Sequence, residues 1–115
     1  MGPALPPGFL RLPIAHRGLH RPGLPENSMA AFRAAIANGY GIECDIQRAM
    51  DGTPMVFHDY ELGRLTGETN GTVAASTPAQ LARLRLSGTD EAMPTLAEML
   101  AEVAGRVPLL IEIKD

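Results

Sequence analysis

The stretch Gly41-Ile42-Glu43-Cys44-Asp45-Ile46 sets apolar residues at 42, 44 and 46 against acids at 43 and 45. A strand turns successive side chains to opposite faces, so this spacing predicts one apolar face and one face carrying two carboxylates. Neighbouring carboxylates on a half-buried surface repel each other and lose hydration, and the pair therefore demands a cation, a proton or a basic partner. The stretch Leu109-Leu110-Ile111-Glu112-Ile113-Lys114 repeats the alternation, with Ile111 and Ile113 on one side and Glu112 and Lys114 on the other. His16, Arg17 and His58 add two imidazoles and a fixed positive charge. Three carboxylates without a thiolate cluster suit a hard divalent cation, Mg2+ or Ca2+, bound through oxygen. Two histidines beside such an ion serve general acid–base chemistry near neutral pH, and Arg17 and Lys114 supply the charge that an anionic substrate such as a phosphate ester requires. The combination points to metal-assisted phosphoryl transfer.

Convergence of these residues is the task of the elements. Leu12-Pro13-Ile14-Ala15-His16 reads as a short strand, ended by Arg17-Gly18 and a loop through Pro22, Gly23 and Pro25. Asn27 or Ser28 caps a helix over about residues 29–38, with Met29, Phe32, Ala35 and Ile36 on one face and Gly39 as its stop. With strand 41–46 this makes a βαβ unit, whose default is a parallel, right-handed crossover. Asp51-Gly52 signals a two-residue hairpin, with Met55-Val56-Phe57 as the returning strand. Counting outward from that turn puts 50 opposite 53 and His58 opposite Asp45.

Residues 60–76 read as a loop rich in Gly, Thr and Asn. Thr77-Pro78-Ala79-Gln80 and Thr95-Leu96-Ala97-Glu98 both carry a cap and a capping-box partner three residues on. The second of these helices places Leu96, Met99, Leu100 and Val103 on one stripe and stops at Gly105. Parallel strands in an α/β array present their C-terminal ends at one edge, which is where residues distant in sequence would meet.

At 115 residues the chain is one domain's worth at most, and 1–13 form an irregular lead-in. A net charge of −3 with no basic run argues against nucleic acid as a partner. The single cysteine, Cys44, cannot form an internal disulfide and fits a small core residue in a reducing compartment. The absence of a signal-peptide pattern and of any membrane-spanning stretch leads to an expectation of a cytoplasmic protein.

His16-Arg17-Gly18, Pro25-Glu26-Asn27-Ser28, Glu43-x-Asp45, Asp51-Gly52, His58-Asp59, Pro94-Thr95-Leu96-x-Glu98 and Ile111-Glu112-Ile113-Lys114 occur in this order. Over residues 14–115 the set resembles the N-terminal part of a glycerophosphodiester phosphodiesterase. The resemblance implies an α/β fold, the N-terminal part of a (β/α)8 TIM-like barrel with about three βα units and a β-hairpin. It also implies hydrolysis of glycerophosphodiesters to sn-glycerol 3-phosphate and an alcohol with a divalent cation. By position, His16 and His58 resemble the family's acid–base pair, Glu43, Asp45 and Glu112 its metal ligands, and Arg17 and Lys114 its phosphate contacts. In the family route, a substrate glycerol hydroxyl attacks phosphorus and water then opens the cyclic phosphate.

A closed barrel takes roughly 250 residues, so a chain of 115 residues is not expected to close one alone, and self-association through the open edge is one way to cover it. Two further functions stay open: a lyase on the same scaffold that stops at the cyclic phosphate, and a non-catalytic fragment that binds metal or phosphate only. Single residues keep plainer alternatives. Arg17 also fits a loop arginine paired with a carboxylate such as Glu26, and Lys114 fits a partner for Glu112. Asp59 and His20 read as structural, and Glu26 as a favourable charge near a helix N-terminus.

Overall fold

The computed structural model describes residues 13–114, so Leu12 and the lead-in before it lie outside the described residues. The chain runs β1 (Ile14–His16), α1 (Met29–Ala37), β2 (Gly41–Arg48), β3 (Pro54–Val56), α2 (Gly63–Thr66), α3 (Pro78–Ala82), α4 (Leu96–Val103) and β4 (Leu109–Ile113). β2 is the centre of the sheet. It pairs in parallel with β1, Ala15 opposite Ile42, and in parallel with β4, Cys44 opposite Ile111. It pairs antiparallel with β3, Ile46 opposite Val56. Because Glu43 pairs with both β1 and β4, and Ile46 with both β3 and β4, β1 and β3 share one edge of β2 and β4 holds the other.

The helices begin where their caps are. Ser28, not Asn27, caps α1: its hydroxyl accepts from the Ala31 N–H at 3.1 Å. Thr77 and Thr95 each make the reciprocal pair with Gln80 and Glu98, so both capping boxes form. Such caps satisfy backbone donors that a helix end otherwise leaves open, for about 1 kcal/mol each. Residues 60–76 are not wholly a loop, since they include the single-turn helix α2, which ends at left-handed Gly67.

Two apolar clusters hold these elements. Ile42, Cys44 and Val56 from the sheet pack with Phe32 and Ala35 of α1 and Met99 and Val103 of α4. Met55, Phe57, Leu62, Leu65, Val73, Leu81, Leu86 and Met93 form the second, beneath the segment between β3 and α4. Leu100 departs from the expected stripe and is exposed. With Ile42 and Cys44 committed to the helices, the alternation of β2 leaves Glu43, Asp45 and Gln47 for the opposite face. β1 and β4 pair with β2 alone among the described residues, so the sheet has two free edges and is not closed. Ile113 is 74% exposed and Leu110 47%.

The hairpin register differs from the count made on the sequence. Ala49 donates to Thr53 O and Gly52 to Ala49 O, which makes a three-residue loop of Met50, Asp51 and Gly52. A two-residue turn of the favoured kind needs positive φ at both positions, and here only Gly52 takes it, at +90°. The extra residue moves the register by one: Asp45 faces Phe57, whose N–H donates to Asp45 O at 3.0 Å. His58 therefore does not lie across from Asp45. It sits two residues beyond the end of β3.

Candidate active site

Residues opposite one another in a ladder project to the same face. The pairing of His16 with Glu43 and of Asp45 with Glu112 thus gathers residues from three strands on the face opposite the helices. Carboxylate oxygens of Glu43, Asp45 and Glu112 lie within 4.8 Å of one another. Glu43 and Asp45 are buried and Glu112 is exposed. Burial raises the Glu43 carboxyl above its ordinary range, the Asp45 charge adds to this, and the Arg17 backbone N–H, donating to Glu43 Oε1 at 3.2 Å, opposes it.

Asp45 is only half satisfied. Its Oδ2 accepts from Asn27 Nδ2 at 3.1 Å and lies 3.7 Å from Arg17 Nε, while its buried Oδ1 has no hydrogen-bond partner. A buried carboxylate oxygen without a donor costs free energy unless a cation meets it. Three oxygen donors, one of them orphaned, fit a hard divalent cation, with Glu43, Asp45 and Glu112 to hold it.

Arg17 and Asn27 both hold positive φ, at 57° and 55°, and the Asn27 N–H donates to Arg17 O at 2.8 Å. Non-glycine residues in this region are strained, and the surrounding contacts hold them there. Arg17 NH1 also bonds Glu26 Oε2 at 2.9 Å, so the plainer pairing read for Arg17 forms in the same geometry that brings it to Asp45.

His58 and Lys114 line one open cavity of about 330 Å³ together with Asp59, Tyr60 and Glu61. The Lys114 N–H donates to Ile46 O at 2.8 Å, which continues the β4 ladder and keeps the residue in step with Glu112. His58 Nδ1 lies 2.7 Å from Asp59 Oδ1. A larger cavity of about 470 Å³, lined by Leu62, Gly71, Ser76, Gln80, Leu81 and Arg83 among others, contains none of these carboxylates or histidines.

Four residues outside the predicted site help to build it. Gln47, next on the carboxylate face, donates to Phe57 O at 2.9 Å and Asp59 O at 2.7 Å, fixing the turn that carries His58. Asn27 holds Asp45, and Asp59 holds His58. Arg64 on α2 bonds both Glu26 and Asp59. Gln47 continues the 43, 45 alternation and Asp59 adjoins His58, both visible signals, whereas nothing local marks Arg64. His20 is exposed in the loop after β1.

The sequence profile described as the glycerophosphoryl diester phosphodiesterase family matches residues 16–115. The chain belongs to that family. It is 41% identical over 97 residues to human glycerophosphodiester phosphodiesterase 1, a match covering 77% of this chain and 29% of the relative. A phosphodiesterase from Oleispira antarctica, solved with the product sn-glycerol-3-phosphate, superposes with a TM-score of 0.83 at 32% identity, covering 92% of this chain and 45% of that one. A glycerophosphodiester phosphodiesterase from Thermotoga maritima gives 0.79 at 34% identity, covering 91% and 45%. The chain thus spans less than half the length of each of these phosphodiesterases. Its fold is the N-terminal part of the family's barrel, left open. No helix among the described residues is long and apolar enough to cross a membrane.

Proposed function

We propose that residues 14–115 act as one unit carrying the metal and phosphate half of a glycerophosphodiester hydrolase site, releasing sn-glycerol 3-phosphate and an alcohol. The observation that carries this is the meeting of Glu43, Asp45 and Glu112 with a buried Asp45 Oδ1 left unpartnered. Family membership and the product bound to the Oleispira antarctica relative support the substrate class.

Glu43, Asp45 and Glu112 hold a divalent cation, Mg2+ or Ca2+, which when bound supplies Lewis-acid stabilisation of charge on the phosphoryl oxygens. Arg17 and Lys114 set fixed positive charge against the same oxygens, orienting the ester and favouring the more highly charged transition state. Of the two imidazoles, one takes the proton of the attacking hydroxyl and the other returns a proton to the departing alcohol oxygen. Asp59 engages His58 at Nδ1, which leaves Nε2 as the nitrogen for proton transfer. A cytoplasmic setting goes with this assignment, supported by the one buried, unpaired thiol of Cys44.

The test is hydrolysis of glycerophosphocholine with Mg2+ or Ca2+ by the full chain. Turnover lost with EDTA and in His16→Ala supports the proposal, and metal-independent turnover sinks it. Phosphorus NMR of the product separates hydrolysis from a lyase, since a persistent cyclic ester marks the latter.

A second function, cation binding without turnover, is favoured by the exposed Leu110 and Ile113 on β4, apolar residues with no covering layer among the described residues. Calorimetry that shows cation binding with no turnover at any protein concentration selects it. Sedimentation then reports whether a second copy covers that edge.

A further inference from the structure

Arg64 is a four-contact fork between two carboxylates. Its NH1 and NH2 bond Glu26 Oε1 and Oε2 at 2.8 and 3.0 Å, and its Nε and NH2 bond Asp59 Oδ2 and Oδ1 at 2.8 and 3.1 Å. Each carboxylate passes the constraint to one candidate site residue. Glu26, only 8% exposed, bonds Arg17 at 2.9 Å, and Asp59 bonds His58 at 2.7 Å. Glu26 belongs to the loop between β1 and α1, and Asp59 to the turn after β3, so one guanidinium ties two separate loops.

We propose that Arg64 is a positioning residue that sets His58 and Arg17 together, acting through Asp59 and Glu26. It rests on the assignment of His58 and Arg17 to the site. A planar guanidinium is suited to this because its donors lie in a fixed fork, and two bidentate pairs define orientation as well as distance. Lysine carries the same charge on a flexible stem and cannot reproduce it. Gln47 pins the back of the 57–59 turn through two backbone carbonyls, so Arg64 has to fix only the front, the Asp59 side chain and the imidazole it holds. Charge follows the same path: hydrogen bonding from Arg64 is the leading cause that holds the Asp59 carboxyl down at about 2, so the ionised carboxylate that accepts the His58 Nδ1 proton is the form the fork binds.

The sequence has three histidines, so ring resonances of the full chain are readily assigned by NMR, and the experiment needs no turnover. The charged groups beside His58 are Asp59, Glu61 and Lys114, and Glu61 and Lys114 stay unchanged in every variant. In Arg64→Met, the neutral His58 ring should lose its preference for the Nδ1–H tautomer. Asp59 keeps its charge but is no longer held in one orientation, so the ring nitrogens should report a mixture of tautomers at neutral pH. The Arg17 Nε–H signal should move in the same variant, through the Glu26 carboxylate that both guanidiniums bond. Arg64→Lys should restore the charge but leave the tautomers mixed, which separates fork geometry from charge.

A His58 ring unchanged in Arg64→Met overturns the proposal. So does a change at His58 with Arg17 unmoved, which removes the double role, and so does loss of the folded spectrum in both variants, which marks Arg64 as scaffold. Failure of the chain to hydrolyse glycerophosphocholine touches the functional assignment alone, since none of these readouts depends on it.

Discussion

Asp45 of β2 and Glu112 of β4 are direct partners across a parallel ladder, 67 residues apart in the chain, and this pairing places the third carboxylate beside the first two. Like charges so close destabilise the folded chain until something neutralises them. In Glu112→Gln and Asp45→Asn, calorimetric affinity for Mg2+ or Ca2+ should therefore fall further than the roughly 10–100-fold loss typical of removing an outer partner of a metal site. Asn27→Gly, which keeps the backbone comfortable at positive φ but removes the donor to Asp45, should fall within that range. Without cation, Glu112→Gln should be no less stable than the parent. Unchanged affinity in all three variants contradicts the assignment.

Gly18 follows Arg17 with φ +79°, and a Cβ there would stand 2.9 Å from Ala31 Cβ and 3.0 Å from Phe32 Cδ1. Both neighbours are fully buried on α1. Gly18→Ala should cost about 1–2 kcal/mol for the left-handed backbone and about 1–3 kcal/mol more for overpacking. Urea unfolding at neutral pH measures it, and a loss under about 0.5 kcal/mol, the scale of an ordinary surface change, contradicts the crowding.

What was legible in the sequence follows from what is local. The alternation at 42–46 assigned Glu43 and Asp45 to one face because a strand's period is fixed by its geometry, and β4 obeys the same rule. Both capping boxes formed because cap and partner sit three residues apart. The hairpin register was off by one because the loop length depends on which residues accept positive φ, and Asp51 does not. Arg64 was invisible for a different reason. Its partner Glu26 lies 38 residues away, and no periodicity links a one-turn helix to a loop before α1.

Arg64 also sets a pH dependence. Its hydrogen bonds hold Asp59 at about 2 against an ordinary 3.8. Burial would raise Glu26, but hydrogen bonding from Arg64 and the charge of Arg17 outweigh it and lower it below 4.5. For a carboxyl depressed by folding, the stabilisation is complete above the unfolded value and is lost as pH falls through the folded one. The parent should thus lose stability to urea between about pH 4.5 and 2 more steeply than Arg64→Met, and comparing the two cancels the opposite contribution of Glu43, whose carboxyl is raised. Equal slopes would remove Arg64 as the cause.

Cys44 lies between the two acids in sequence but on the other face of β2, fully buried with its Sγ 3.5 Å from Met99 Sδ. Burial first, then the charges of Glu43 and Asp45, push its thiol up to about 12. Only the thiolate attacks a disulfide reagent, so at pH 8 the folded chain should be nearly inert and labelling should require unfolding. The labelling rate in Gly18→Ala, compared with the parent, should then rise in proportion to the unfolded population when refolding outpaces labelling. Rapid modification of the folded parent, with its fold intact, would place Cys44 on the exposed face and reverse the alternation that assigns Glu43 and Asp45 to the site.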